Sequence, residues 1–142
     1  MKLRKGFTLV ELLIVIVIIG VLAAAMLLGS GAATDSAEAS NIVTNLRSLQ
    51  SASLMFFADN PDVTAPPATV SLAPYMPGTI GTGYHIRESV GQWWIEYSGP
   101  AMTRPGVRTR LTARTNAGVP LRATMAAGDN YNGGNIVFLH AR

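Results

Sequence analysis

The sequence has 142 residues and no cysteine, which suits one domain with an appendage and excludes disulfide frameworks, thiolate metal sites and cysteine nucleophiles. Charged residues make up 13% and apolar ones 49%, with a mean hydropathy of +0.29; this excludes a disordered chain and points to a membrane segment. The net charge of +3 resides in Lys2, Arg4 and Lys5, and the remainder balances eight basic against eight acidic residues, so the pI of about 9.7 is no sign of nucleic-acid binding.

Phe7 to Leu28 contains a single charge, Glu11, and Leu12 to Thr34 contains none. About 20 apolar residues span a bilayer as a helix. Lys2, Arg4 and Lys5, just ahead of the run, would hold the N-terminus in the cytoplasm and send the rest outward. An ordinary secretory signal peptide is the alternative, with Lys2 to Lys5 as its basic region and Ala23-Ala24-Ala25 as its cleavage site. That alternative leaves Glu11 unexplained, because an acid in an apolar core is costly.

The segment Lys5-Gly6-Phe7-Thr8-Leu9-Val10-Glu11-Leu12-Leu13, followed by the apolar stretch Ile14 to Gly20, resembles the leader and N-terminal helix of type IV prepilins. Pseudopilins of type II secretion share the pattern. The likeness is close over about the first 30 residues and holds in outline beyond them. It implies that prepilin peptidase cuts between Gly6 and Phe7 and methylates the new amine of Phe7. The apolar segment would then stay in the mature protein, held in the inner membrane until the pilus assembly machinery polymerises it with identical or homologous subunits. Gly6 suits the cut, because a residue without a side chain lets the backbone approach a catalytic site closely.

Glu11 is the strongest candidate site residue. A buried charge needs a partner. Processing would create one cation nearby, the α-amino group of Phe7, with an ordinary pKa of about 7.7–8.0. Phe7 and Glu11 are one helical turn apart and could pair within a subunit; the resemblance implies pairing with the Phe7 amine of a neighbouring subunit. Such a pair would set register, since a mis-stacked subunit leaves a carboxylate unpaired. The alternative is a carboxylate that snorkels to the headgroups.

Gly29-Ser30-Gly31 reads as a soft or melted stretch of helix, with tolerance of the glycines as the alternative. Many type IV pilins bend their helix near here with a proline, which this chain lacks. Beyond it, Ala39, Ile42, Leu46, Leu49, Ser53 and Phe56 form an amphipathic stripe, with Asp35, Glu38 and Arg47 off it. The helix is expected to run to about Ala58 and end at Asp59-Asn60-Pro61, a span of roughly 75 Å if continuous. Residues 59–83 read as a loop with a short helical turn at Leu72 to Met76.

Tyr84 to Ser98 reads as a β-hairpin around Val90-Gly91, with Ile86 facing Ile95 and Tyr84 facing Tyr97. Tyr84, Ile86, Trp93, Ile95 and Tyr97 would cover the helix. His85, Arg87, Trp94 and Glu96 fall on the other face, where Trp94 would be exposed, met either by a covering loop or by a neighbouring subunit. Arg104 to Gly118 alternates like a strand, yet Pro105 and Gly118 suit a helix start and end, and a short helix packed by Val107 and Leu111 is favoured. Leu121 to Met125 and Asn135 to Ala141 look like a final hairpin with a long loop at Gly128 to Gly134. The expected fold class is α+β: a long N-terminal helical spine on a small antiparallel sheet of about four strands, as the resemblance implies. The divisions are a leader at 1–6, a transmembrane or filament-core helix at 7–30, an amphipathic half at 31–58 and a globular head at 59–142.

The charges are segregated. Phe7 to Ser98 carries two basic and seven acidic residues, and Gly99 to Arg142 six basic and one acidic. Complementarity between neighbouring heads, an Arg108, Arg110 and Arg114 patch for DNA, and an incidental solvated surface all fit this pattern. No catalytic motif is present, and no cofactor is implied. His85 and His140 are too few for a metal site, and Gly128-Asp129-Asn130 offers too few carboxylates for the calcium found in some pseudopilins. The chain therefore reads as a structural subunit of a type IV pilus or a secretion pseudopilus, the latter periplasmic, rather than an enzyme. A monomeric membrane-anchored or secreted binding domain is the alternative from another class. The absence of cysteine departs from the many exposed pilins that close their C-terminal region with a disulfide.

Overall fold

The computed structural model describes residues 6–142; Lys2, Arg4 and Lys5, the basic tip, lie outside them. The chain divides into two compact units, Met1–Thr34 and Asp35–Arg142. One helix, α1 (Leu9–Asp59), contributes to both. It passes through Gly29 and Gly31 without a break, which corrects the soft stretch expected there. A glycine costs a helix about 1 kcal/mol against alanine, a cost that the flanking Ala, Met and Leu residues, all good helix formers, readily absorb. Pro61 ends α1, and Asn60 closes it by donating both its backbone N–H and its side-chain amide to the Phe56 carbonyl, at 3.0 and 2.9 Å.

In the second unit the stripe on α1 is the core. Ala39, Ile42, Leu46, Leu49 and Ser53 are buried, Phe56 is half-buried, and Val43 and Ala52 widen the buried face. A 3₁₀ turn at Thr69–Tyr75 drops Leu72 into the same core. Four antiparallel strands follow: β1 (Tyr84–Ser89), β2 (Gln92–Tyr97), β3 (Leu121–Arg122) and β4 (Val137–His140), in the spatial order β1-β2-β4-β3. Tyr84 faces Tyr97 and Ile86 faces Ile95, the register that a two-residue turn at Val90-Gly91 requires. Trp93, Ile95, Tyr97, Val137, Leu139 and Leu121 join the α1 stripe in one apolar cluster. Phe57 of α1 meets Trp93 edge to face at 6.0 Å, and the Arg142 guanidinium stacks over the Phe57 ring at 3.3 Å.

Residues 105–116 form a helix, α2 (Pro105–Asn116), with Pro105 in its first turn. Val107, Leu111 and Thr115, each four apart, are its buried stripe. It ends in a Schellman motif: Gly118 takes φ +97°, its N–H donates to Thr115, and the Val119 N–H reaches back to Arg114. The final hairpin is shorter than expected. Its first strand stops at Arg122, because Ala123 N–H turns to the Asp129 carbonyl and Tyr131 N–H donates to Leu121. Residues 129–131 thereby occupy the outer edge of β3, which would otherwise offer unpaired backbone groups.

Two tests follow from this packing. Leu46→Ala, which empties a fully buried site, should destabilise the full chain in detergent by about 2–5 kcal/mol in a denaturant titration. Burial pushes the Tyr84 hydroxyl up to about 12, an effect the Asn45 amide, donating to it at 3.0 Å, partly opposes. An unfolded tyrosine ionises near ~10. The fold thus favours the neutral phenol: this contribution to stability is fully present below pH ~10 and is lost as pH rises through about 12. Circular dichroism should show alkaline unfolding in that window, shifted to higher pH in Tyr84→Phe.

Candidate functional site

The first unit is defined by what it leaves uncovered. Every large apolar side chain from Leu9 to Leu27 is more than half exposed, and Phe7 is 86% exposed. This part of α1 is long and apolar enough to cross a membrane. Burying one such side chain is worth about 1.5–3 kcal/mol, so the row creates a strong demand for lipid or for like helices.

Glu11 opens that row. Its Oε2 accepts hydrogen bonds from the Thr8 backbone N–H at 2.8 Å and the Thr8 hydroxyl at 2.7 Å, and the Thr8 oxygen accepts the Glu11 N–H at 3.2 Å. This is a capping box, Thr-x-x-Glu ahead of an apolar run. The Thr-x-x-Glu spacing is legible in the sequence, although Glu11 is expected there only to pair. The nitrogen of Phe7 is a peptide amide here, and the carboxylate is satisfied by Thr8. Both bonds fall on Oε2, and Oε1 faces no donor among the described residues. Gly6 has open space where a Cβ would stand.

The surface candidates are distributed differently. Trp94 is 2% exposed, as a covering loop would leave it. His140 stands edge-on against it at 4.8 Å, and Pro120, Arg122 and Ala127 wall the same cleft, so the covering is supplied by the chain's own 120–127 segment. Beside it Glu96, also buried, pairs with Arg87 at 3.0 Å and accepts the Ser98 hydroxyl at 3.1 Å. Of the three arginines of α2, Arg108 binds the Asn135 side chain, Arg114 binds the Ser40 hydroxyl, and Arg110 is exposed. Arg110 and Arg114, four apart, are neighbours on one side of the helix, and Arg108, two from Arg110, does not face it. An ion pair the sequence could not reveal joins Arg104 to Asp35, 69 positions apart. Gly106 makes room for it, since a Cβ there would overlap the Asp35 carboxylate. Among the described residues no cluster of His, Cys, Asp or Glu could hold a metal.

Residues 1–27 match the family described as the prokaryotic N-terminal methylation motif. The fold is similar to that of the major type IV pilin PilA1 from Clostridium difficile, with a TM-score of 0.56 at 12% identity, over 78% of this chain and 98% of that one. No curated protein matches the chain. The chain thus carries an N-terminal methylation motif on a type IV pilin fold.

The capping box gives a local test. In the unassembled chain, Thr8→Ala should speed hydrogen exchange at the Glu11 amide several-fold, and Thr8→Ser should leave it protected. Equal protection in both variants would show that the box does not hold in solution.

Proposed function

We propose that this chain is a pilin subunit, cleaved after Gly6, methylated on the amine of Phe7, stored in the inner membrane and polymerised into a type IV pilus or a pilus-like filament. The observation that carries the reading is the uncovered apolar row from Leu9 to Leu27 with its one acid, Glu11, lying within the methylation motif. Prepilin peptidase would act at the cytoplasmic face, where Lys2, Arg4 and Lys5 hold the leader. Cutting converts the Phe7 amide into an amine, one helical turn from Glu11.

In lipid the apolar row is solvated by acyl chains and has no reason to associate. Once drawn out of the bilayer it is covered by other copies of itself. Inside that bundle Glu11 would take the Phe7 amine of a neighbour as its counter-charge. The pairing selects register, because every other stacking strands a charge in an apolar core. The head unit folds around its own core.

Glu11→Gln keeps a side chain that can still serve a capping box but removes the charge. It should lower the yield of filaments in sheared surface material by roughly tenfold or more, with the membrane level of the subunit unchanged. Filaments at normal yield, seen by electron microscopy, would contradict the pairing.

A further inference from the structure

The face of the sheet that points away from the apolar cluster holds a second group of side chains. Trp94 pairs across the strands with His140, and Arg122 with Phe138. Phe138 and His140 are two apart on β4, so all four side chains stand on one face. Trp94, His140 and Arg122 line a cleft of about 350 Å³, with Pro120 and Ala127 on its apolar side. That volume is in the range of small-molecule sites.

Two nitrogens of this cleft lack a partner. Trp94 Nε1 and His140 Nε2 are buried and hydrogen-bonded to nothing, the only such side-chain atoms among the described residues. Buried polar groups are nearly always paired, and an unpaired one keeps its full desolvation penalty. An indole N–H only donates, whereas an imidazole nitrogen donates or accepts according to its tautomer. A molecule that satisfies both must therefore offer an acceptor to Trp94. The one charge in the lining is Arg122. Its Nη1 donates to the Asn130 side chain at 2.6 Å, and its other nitrogens have no partner among the described residues. The acid on the same face, Glu96, is already taken by Arg87 and Ser98. Thr124 to Ala127 make no backbone hydrogen bond among the described residues, so this wall yields most easily to an entering molecule.

We infer that this cleft binds a small carboxylic acid with an apolar body. The carboxylate accepts the Trp94 indole N–H and the Arg122 guanidinium, and His140 Nε2 joins them in its donor tautomer. The apolar body lies against the Trp94 ring, Pro120 and Ala127. Inorganic phosphate would meet the same donors, but it would set a strongly hydrated ion against apolar walls. The cleft lies wholly within the second unit, so the site stands apart from the filament reading.

Phenylacetate is a suitable probe. Titrated into the isotope-labelled full chain in non-ionic detergent, it should shift the indole N–H resonance of Trp94 saturably. The resonance of Trp93, which packs in the apolar cluster on the other face of β2, should stay in place. Phenylacetamide has the same shape without the charge and should bind about tenfold more weakly, the loss expected when a charge-assisted hydrogen bond becomes a neutral one. Arg122→Gln should weaken phenylacetate by a similar factor, and Arg122→Lys should restore part of the loss. The proposal is overturned by any of four results: no saturable shift at Trp94, phenylacetamide binding as well as phenylacetate, phosphate binding as well as phenylacetate, or full affinity in Arg122→Gln. The amide and phosphate comparisons use the unaltered chain, so they decide the matter even where a variant fails to fold.

Discussion

Water is a poor solvent for the surface between Leu9 and Leu27, and nothing among the described residues covers it. An ordinary folded domain resolves such a surface by folding against it. Here the helix is apolar all round, so no single partner face would suffice. Under the proposed function, lipid and then several copies of the same helix supply the cover. The rest of the molecule is consistent with this one demand. The second unit completes its own core on the stripe from Ala39 to Phe56.

Under the proposed function, Glu11 would convert a non-directional demand into a specific one. Apolar helices pack in many registers of similar energy, whereas a carboxylate among them accepts few. The capping box satisfies the acid within the chain: Thr8 supplies two donors from one residue. Under the proposed processing, the same carboxylate would meet the new Phe7 amine of a neighbouring subunit. In the second unit, polar links fix the head in a comparable way. Asp35 with Arg104 and Ser40 with Arg114 tie α1 to α2 and its first turn, and Gln50 donates to the His140 carbonyl at 2.7 Å, so helix and sheet hold a set geometry.

Local patterns were legible in the sequence where one residue's environment depends on near neighbours. The stripe on α1, its end at Pro61 and the register of the first hairpin all follow from spacing or from a turn of fixed length. The helix at 105–116 was ambiguous because Val107, Thr109 and Leu111 alternate as a strand would; Pro105 and the left-handed Gly118 decided it. What escaped depends on distant partners. For Trp94 a covering loop and a neighbouring subunit both stayed open, because nothing in the hairpin announces that Pro120, Arg122 and Ala127 line its cleft. The pairing of Asp35 with Arg104 has no spacing rule to reveal it. The missed role of Glu11 is different, since Thr-x-x-Glu was in plain view and was passed over for a partner expected from another subunit.

The measurement that bears hardest on this picture is N-terminal sequencing with intact mass of the protein recovered from its native cells. Under the proposed function the chain begins at Phe7, carries one methyl group on its amine and retains the entire apolar row. A chain that begins at Met26, or one that keeps its first six residues, would have no Phe7 amine for Glu11 to meet, and the assembly described here would not exist.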